Sequence, residues 1–287
     1  MNRQKIRDGV EIFPLIVFMA LTKFLSLKTR AVLGAFLVSW MIRINQKLNK
    51  RIITNLELTM PHKSAYEKKE FVKVCGRLIG QTFIELIYNS EFQKRTSHFK
   101  YKKSQLEPLI KANKQGRPII IVSAHLGPWE AVRSVLKMNG LTAGAIYKKN
   151  KNQFYEALHI KAIKSGGEPI FSTGLRGTRE MVRHLRDGGI VAMMLDQAVS
   201  DGEFYDFLGR PAKTSTSVAK IALKLNALVV PAYAVRETTG EIIDVTFEDP
   251  VTHTNYQDMT LTLTRSIEKI VMSNPLQWYW LHRRWKY

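Results

Sequence analysis

Cysteine is almost absent from this 287-residue chain, which has only Cys75. An internal disulfide is therefore excluded. A reducing compartment, or a membrane face turned toward one, is the natural setting. The sequence also lacks an uninterrupted apolar run of the ~20 residues that a clean spanning helix needs. It has no internal repeat, low-complexity segment or evident linker. Acid is scarce, with 24 Asp plus Glu against 44 Lys plus Arg, a net charge of +20. Such a surface seeks polyanions: nucleic acid, anionic lipid or an acidic protein. No helix-turn-helix, zinc or RNP pattern is present, which argues against the first. What remains is ordinary: 45% hydrophobic and 24% charged residues fit one core domain with a helical extension.

The N-terminus carries two shorter apolar runs, I-F-P-L-I-V-F-M-A-L-T (12–22) and A-V-L-G-A-F-L-V-S-W-M-I (31–42). Arg3, Lys5 and Arg7 precede the first in the manner of a signal peptide, but Asp8 and Glu11 interrupt that basic region and no A-x-A site follows. The runs predict a membrane-associated segment over residues 1–45, either a transmembrane anchor or an interfacial hairpin. Two buried helices of a soluble protein are the alternative. Arg43, Lys47, Lys50 and Arg51 follow, a cluster suited to an anionic cytoplasmic leaflet.

Residues 46–287 read as one further domain. Ser64 and Glu67 fit a capping box, and apolar spacing predicts a helix over 65–90. Residues 94–103 hold five cations and no acid, which fits a solvated face or a lipid-phosphate patch. Strand-like runs follow at 118–123, 141–147, 190–195 and 228–235, with 241–247 alternating as an antiparallel partner would. Helical patterns lie at 130–139, 153–164, 175–187, 215–226 and 258–273. Short apolar strands separated by helices predict an α/β fold with a mixed, mostly parallel central sheet covered by helices.

The segment I-I-I-V-S-A-H-L-G-P-W-E ends a buried strand, turns at Gly127–Pro128 and starts a helix at Glu130. His125 stands in the strand-to-helix loop, at the edge where α/β sheets collect active sites. A neutral imidazole is a suitable base for an attacking hydroxyl near neutral pH. A carboxylate at its other ring nitrogen fixes the tautomer and stabilises the imidazolium. Free N–H groups at the helix start suit a developing oxyanion. The competing reading is a loop histidine, and a glutamate placed by the helix dipole alone.

H-x-x-x-x-D/E after a buried strand resembles the first motif of the glycerolipid-type acyltransferases. The form A-H-L-G-P-W-E resembles the late acyltransferases of lipid A biosynthesis and their lauroyl/myristoyl relatives. N-L-E-L-T-M-P (55–61), L-R-G-T-R-E-M (175–181), M-L-D-Q (194–197), F-L-G-R-P-A (207–212) and Q-W-Y-W-L-H-R-R-W (277–285) also match, in order. The resemblance implies an acyltransferase that needs no metal or cofactor. His125 would be its base and Glu130 the charge partner. The donor would be acyl carrier protein, and the acceptor a glycolipid of the Kdo-lipid IVA type or, alternatively, another glycolipid or a lysophospholipid. Nucleic acid would not be a partner. The setting would be the cytoplasmic face of a Gram-negative inner membrane. Arg176 would face the substrate's polar head or the oxyanion, and Asp196 and Gln197 would lie at the same sheet edge, although Asp196 also suits a helix cap or turn. Arg210 suits phosphate or a structural turn, and Trp129 an acyl slot or the core. Tyr147-Lys148 stands where the family usually has Tyr-Arg, so a point charge replaces a bidentate fork. The closing Trp278, Trp280, His282, Arg283 and Arg284 read as structural.

Overall fold

The Ser64–Glu67 capping box closes in both directions. The Ser64 backbone N–H donates to Glu67 Oε2 at 2.7 Å and the Glu67 N–H to Ser64 Oγ at 3.2 Å. It starts the helix that the apolar spacing predicts. The computed structural model describes residues 3–238 and 240–286, apart from the side chain of Arg3. In chain order the N-terminal helices are α1 (Arg3–Thr22), α2 (Leu27–Ile44), α3 (Gln46–Thr59), α4 (Ala65–Ile87) and the short α5 (Asn89–Phe92). Strand β1 (Phe99–Lys100), helix α6 (Glu107–Lys114), β2 (Ile119–Ser123), α7 (Glu130–Met138), β3 (Ala143–Tyr147), α8 (Gln153–Gly166), β4 (Ile170–Ser172), α9 (Leu175–Arg186) and β5 (Ile190–Met194) follow. The chain then makes a hairpin of β6 (Glu203–Phe207) and β7 (Arg210–Thr214), and continues through α10 (Ser217–Leu225), β8 (Leu228–Arg236), β9 (Ile243–Phe247) and α11 (Tyr256–Ser273).

Seven strands form one sheet in the order β1-β9-β8-β2-β5-β3-β4, and only the β8–β9 pair is antiparallel. The mixed, mostly parallel sheet is therefore as expected, including the antiparallel strand at 243–247. The β6–β7 hairpin stands apart and is missing from the sequence reading. Its burial alternates only weakly, so periodicity does not mark it.

Every residue of β2 is buried, because helices cover both faces of the sheet. Ile120 and Val122 pack with α4, α9, α10 and α11, whereas Ile119 and Ile121 pack with α6 and α7. Parallel pairing sets Ile119 opposite Ile190 and Ser123 opposite Met194. Both central strands thus end at one edge in step, and this register positions the site.

No helix among the described residues is long and apolar enough to cross a membrane. The spanning form of the N-terminal expectation is thereby corrected: Asp8 and Glu11 before it and Lys23 after it keep the first run short, and the second is short as well. Asp8 is itself buried, accepting the Gln153 N–H at 3.2 Å at the start of α8. Helix α2 packs closely on α4. A Cβ at Gly80 would come within 2.9 Å of the Ala35 Cα, so that crossing requires glycine. The outer surfaces of α1 and α2 differ in character. Phe13, Leu21, Phe36, Leu37, Trp40 and Ile44 are exposed there, as is Phe24 in the turn between them.

Candidate active site

His125 and Asp196 each lie two residues beyond the paired strand ends Ser123 and Met194. Continuing the register therefore brings them together. The Asp196 Oδ1 lies 2.9 Å from His125 Nδ1, and Oδ2 accepts the His125 backbone N–H at 3.0 Å and the Trp278 Nε1–H at 2.9 Å. Asp196 is buried, and burial alone would raise its pKa. The His125 interaction and the donors from His125 and Trp278 outweigh that and hold the carboxyl below the ordinary aspartate value. An ionised Asp196 makes Nδ1 the protonated nitrogen of a neutral ring. The lone pair is then at Nε2, and the His125 side chain is 26% exposed, enough to meet a substrate.

The loop carrying His125 is clamped by the C-terminal segment. Tyr279 donates its N–H to the His125 carbonyl and Gly127 its N–H to the Gln277 carbonyl, both at 2.9 Å. Gly127 has φ +54°, and a Cβ there would fall 2.5 Å from the Ala234 carbonyl oxygen. Only glycine makes this turn. Trp129 meets the His125 ring edge to face at 5.3 Å, and Tyr279 lies at 6.3 Å on a tilt.

Glu130 is placed differently from the expectation. Its carboxylate does not contact the imidazole, and takes Arg133 Nη1 at 3.0 Å and Asn89 Nδ2 at 3.0 Å. Arg133 is buried and also donates to the carbonyls of Ala143, Ile163 and Gly167. The physical reason is helical: Glu130 and Arg133 are three residues apart on α7 and face inward together. The ring's carboxylate partner is Asp196. The turn also occupies N–H groups expected to be free, since Trp129 donates to Gly127 and Ala131 to Pro128.

Other predicted residues are more scattered. Gln197 is half-buried beside Asp196, and Tyr147 ends β3 with its ring against His159 at 6.2 Å. Lys148 is exposed. Arg176 is exposed and pairs with Glu180 at 2.9 Å, one turn along α9. Arg210 donates Nε to the Leu58 carbonyl at 3.1 Å. Cys75 is buried, and burial pushes its thiol up to about 12, so it is no nucleophile at neutral pH.

The sequence reading takes Trp278 and His282 as structural, but both reach the site. His282 Nε2 accepts the Ala198 N–H at 2.9 Å. Burial, aided by His125 and Arg284 and opposed by Asp196, pushes its pKa down from 6.5 to about 4. The unfolded chain takes up this proton near pH 6.5, and the folded chain does so only near pH 4. Stability is therefore expected to be flat above pH 7 and to fall by up to about 3 kcal/mol as pH drops from 6.5 to 4, less where solvent reaches the ring. Denaturant midpoints across that window measure it. His282→Gln should flatten the slope, and an unchanged slope would contradict the assignment.

The family model described as bacterial lipid A biosynthesis acyltransferase matches residues 4–287. A lipid A biosynthesis acyltransferase of Haemophilus influenzae is 26% identical over 238 residues, covering 81% of this chain and 75% of the relative. The lipid A biosynthesis palmitoleoyltransferase of Escherichia coli strain K12 is 24% identical over 244 residues, 81% of this chain and 76% of its own. The lipid A biosynthesis lauroyltransferase of the same organism is 24% identical over 261 residues, with 88% and 84% covered.

Proposed function

The chain belongs to the bacterial lipid A biosynthesis acyltransferase family, and from that premise we propose a donor, an acceptor, a mechanism and a setting. The donor is an acyl carrier protein thioester. The acceptor is a hydroxyl of a lipid A precursor of the Kdo-lipid IVA type. The observation that carries the mechanism is the His125–Asp196 pair, with Nδ1 bound to the carboxylate and the His125 side chain 26% exposed.

His125 Nε2 removes the proton of the acceptor hydroxyl as its oxygen attacks the thioester carbonyl. The resulting imidazolium keeps its Nδ1–H on ionised Asp196. The tetrahedral intermediate collapses, the C–S bond breaks, and the carrier thiolate recovers the proton from Nε2. An ester and a free thiol result, and no acyl-enzyme forms. Glu130 serves this chemistry at one remove: through Arg133 it fixes the start of α7 and the loop before it. In this reading Trp129, Tyr147 and Gln197 contact the bound substrates, and Lys148, Arg176 and Arg210 offer cations to the polar head. The +20 charge suits both an acidic carrier and a phosphorylated acceptor.

The test is transfer by the purified full-length protein in detergent. Acyl carrier thioester and the tetra-acylated precursor are supplied, and the product is weighed by mass spectrometry. One added acyl group on the precursor is expected. Acylation of a lysophospholipid in its place would overturn the acceptor assignment.

Residues 1–45 are proposed to lie in the membrane interface on the cytoplasmic face of the inner membrane, with 46–287 as the catalytic domain. Phe13, Leu21, Phe36, Trp40 and Ile44 are exposed apolar side chains of this segment. Phe36→Asp with Trp40→Asp is expected to weaken binding to anionic vesicles by about 10²-fold or more. Co-sedimentation checks this, and unchanged sedimentation would refute it. Point substitutions are preferable to deleting residues 1–42, which would strip α4 of its packing partner α2.

A further inference from the structure

Five cations line a cavity of about 330 Å³ between α3 and the C-terminal segment. Lys47, Lys50 and Arg51 come from α3, and Arg283 and Lys286 from the tail. The α3 positions follow i, i+3 and i+4 and so share one helical face. No acidic side chain lines the cavity, and none of the five pairs with a carboxylate of a described residue. Gathering like charges into a concavity raises their mutual repulsion, which a bound anion would relieve.

The cavity walls are held in place. Asn55 on α3 is buried and donates Nδ2 to the carbonyls of Trp280 and His282 at 2.8 and 2.9 Å, and Arg51 donates to that of Leu281 at 3.2 Å. Trp285 adds an aromatic face, its Nε1 fixed on the Phe207 carbonyl and its ring stacked on Phe207. A charged rim with one aromatic wall suits a phosphorylated or acidic sugar.

Its place relative to His125 matters most. Tyr279 donates its N–H to the His125 carbonyl, and Arg283 is four residues further on. A fully extended chain would separate them by at most about 14 Å. Helix α3 also continues directly from α2, whose exposed Trp40 and Ile44 end the apolar surface. Arg210 donates to the carbonyl of Leu58, another residue of the cavity wall, which ties that predicted cation to the same region.

We propose that this cavity is an anion subsite for the acceptor, holding a phosphate of the glycolipid while its hydroxyl lies at His125. The inference rests on the acceptor reading given above. A carrier protein is the less suitable occupant. A folded partner spreads its contacts over roughly 800 Å² of surface, whereas a concavity of about 330 Å³ takes one compact group.

The test uses full-length protein in detergent and the double variant Lys50→Glu with Arg283→Glu, both exposed positions. With both substrates varied, the acceptor KM is expected to rise about tenfold or more, and kcat and the donor KM to move by about threefold or less. In parallel, the deacylated, water-soluble headgroup with its phosphates is titrated calorimetrically against its phosphatase-treated form and inorganic phosphate. The phosphorylated headgroup should bind the natural protein about tenfold tighter than either control, and the variant should lose that difference. Inorganic phosphate binding as tightly as the headgroup would overturn the assignment, as would a rise in donor KM or an unaffected variant. A natural protein that acylates no glycolipid would sink the acceptor reading instead, and the headgroup titration would still decide whether the cavity takes this anion.

Discussion

Asp196→Asn is expected to lower kcat by about three orders of magnitude with little change in stability, matching His125→Ala in severity. The direction follows from which donors already face Asp196. Its Oδ2 accepts two N–H groups, from the His125 backbone and the Trp278 indole. An asparagine must place its amide oxygen there, because its NH₂ would oppose both donors. The NH₂ is then aimed at His125 Nδ1, which must become an acceptor. The ring proton moves to Nε2, and the nitrogen that should take the hydroxyl proton no longer has a lone pair. Single-turnover measurements with thioester and acceptor read the chemical step directly. Transfer by Asp196→Asn within tenfold of the natural protein would refute the proposed pairing.

The second large effect is on stability. Glu130→Ala leaves the Arg133 guanidinium without its carboxylate at a position where the side chain is 3% exposed. Losing one partner of a buried ion pair costs about 3–5 kcal/mol. Arg133→Ala should cost a similar amount, since it strands Glu130 and the carbonyls of Ala143, Ile163 and Gly167. Replacing both by apolar residues, Glu130→Leu with Arg133→Met, should recover much of the loss. Denaturant titration gives these values. Kinetics on the folded fraction give the complementary result, in which Glu130→Ala keeps the shape of the pH profile. A variant that is fully stable yet inactive would return Glu130 to the direct role that its spacing from His125 suggests.

These two predictions separate the carboxylates that spacing alone could not rank. Glu130 is five residues from His125 and sits where a partner would be sought in the sequence. Asp196 is 71 residues away and becomes the partner only when β2 and β5 pair in parallel. The strand end M-L-D-Q was legible as a site element, but its contact was not. Trp278 was hidden for the same reason: its Nε1–H reaches Asp196 only after the tail folds back along the His125 loop.

The sequence by itself determined what is local. The buried strands, the capped helix at Ser64, the turn at Gly127–Pro128 and the apolar N-terminal surface all follow from periodicity, capping and turn chemistry within a few residues. The tertiary structure decided what depends on pairing between distant segments: the register that joins His125 to Asp196, the docking of the Glu130–Arg133 pair against Asn89 and Ile163, the β6–β7 hairpin, and the cationic cavity between α3 and the tail. Local propensity repeats along the chain and can be read from it. Register and docking are fixed only when separate faces bury one another, and no single stretch of sequence records that.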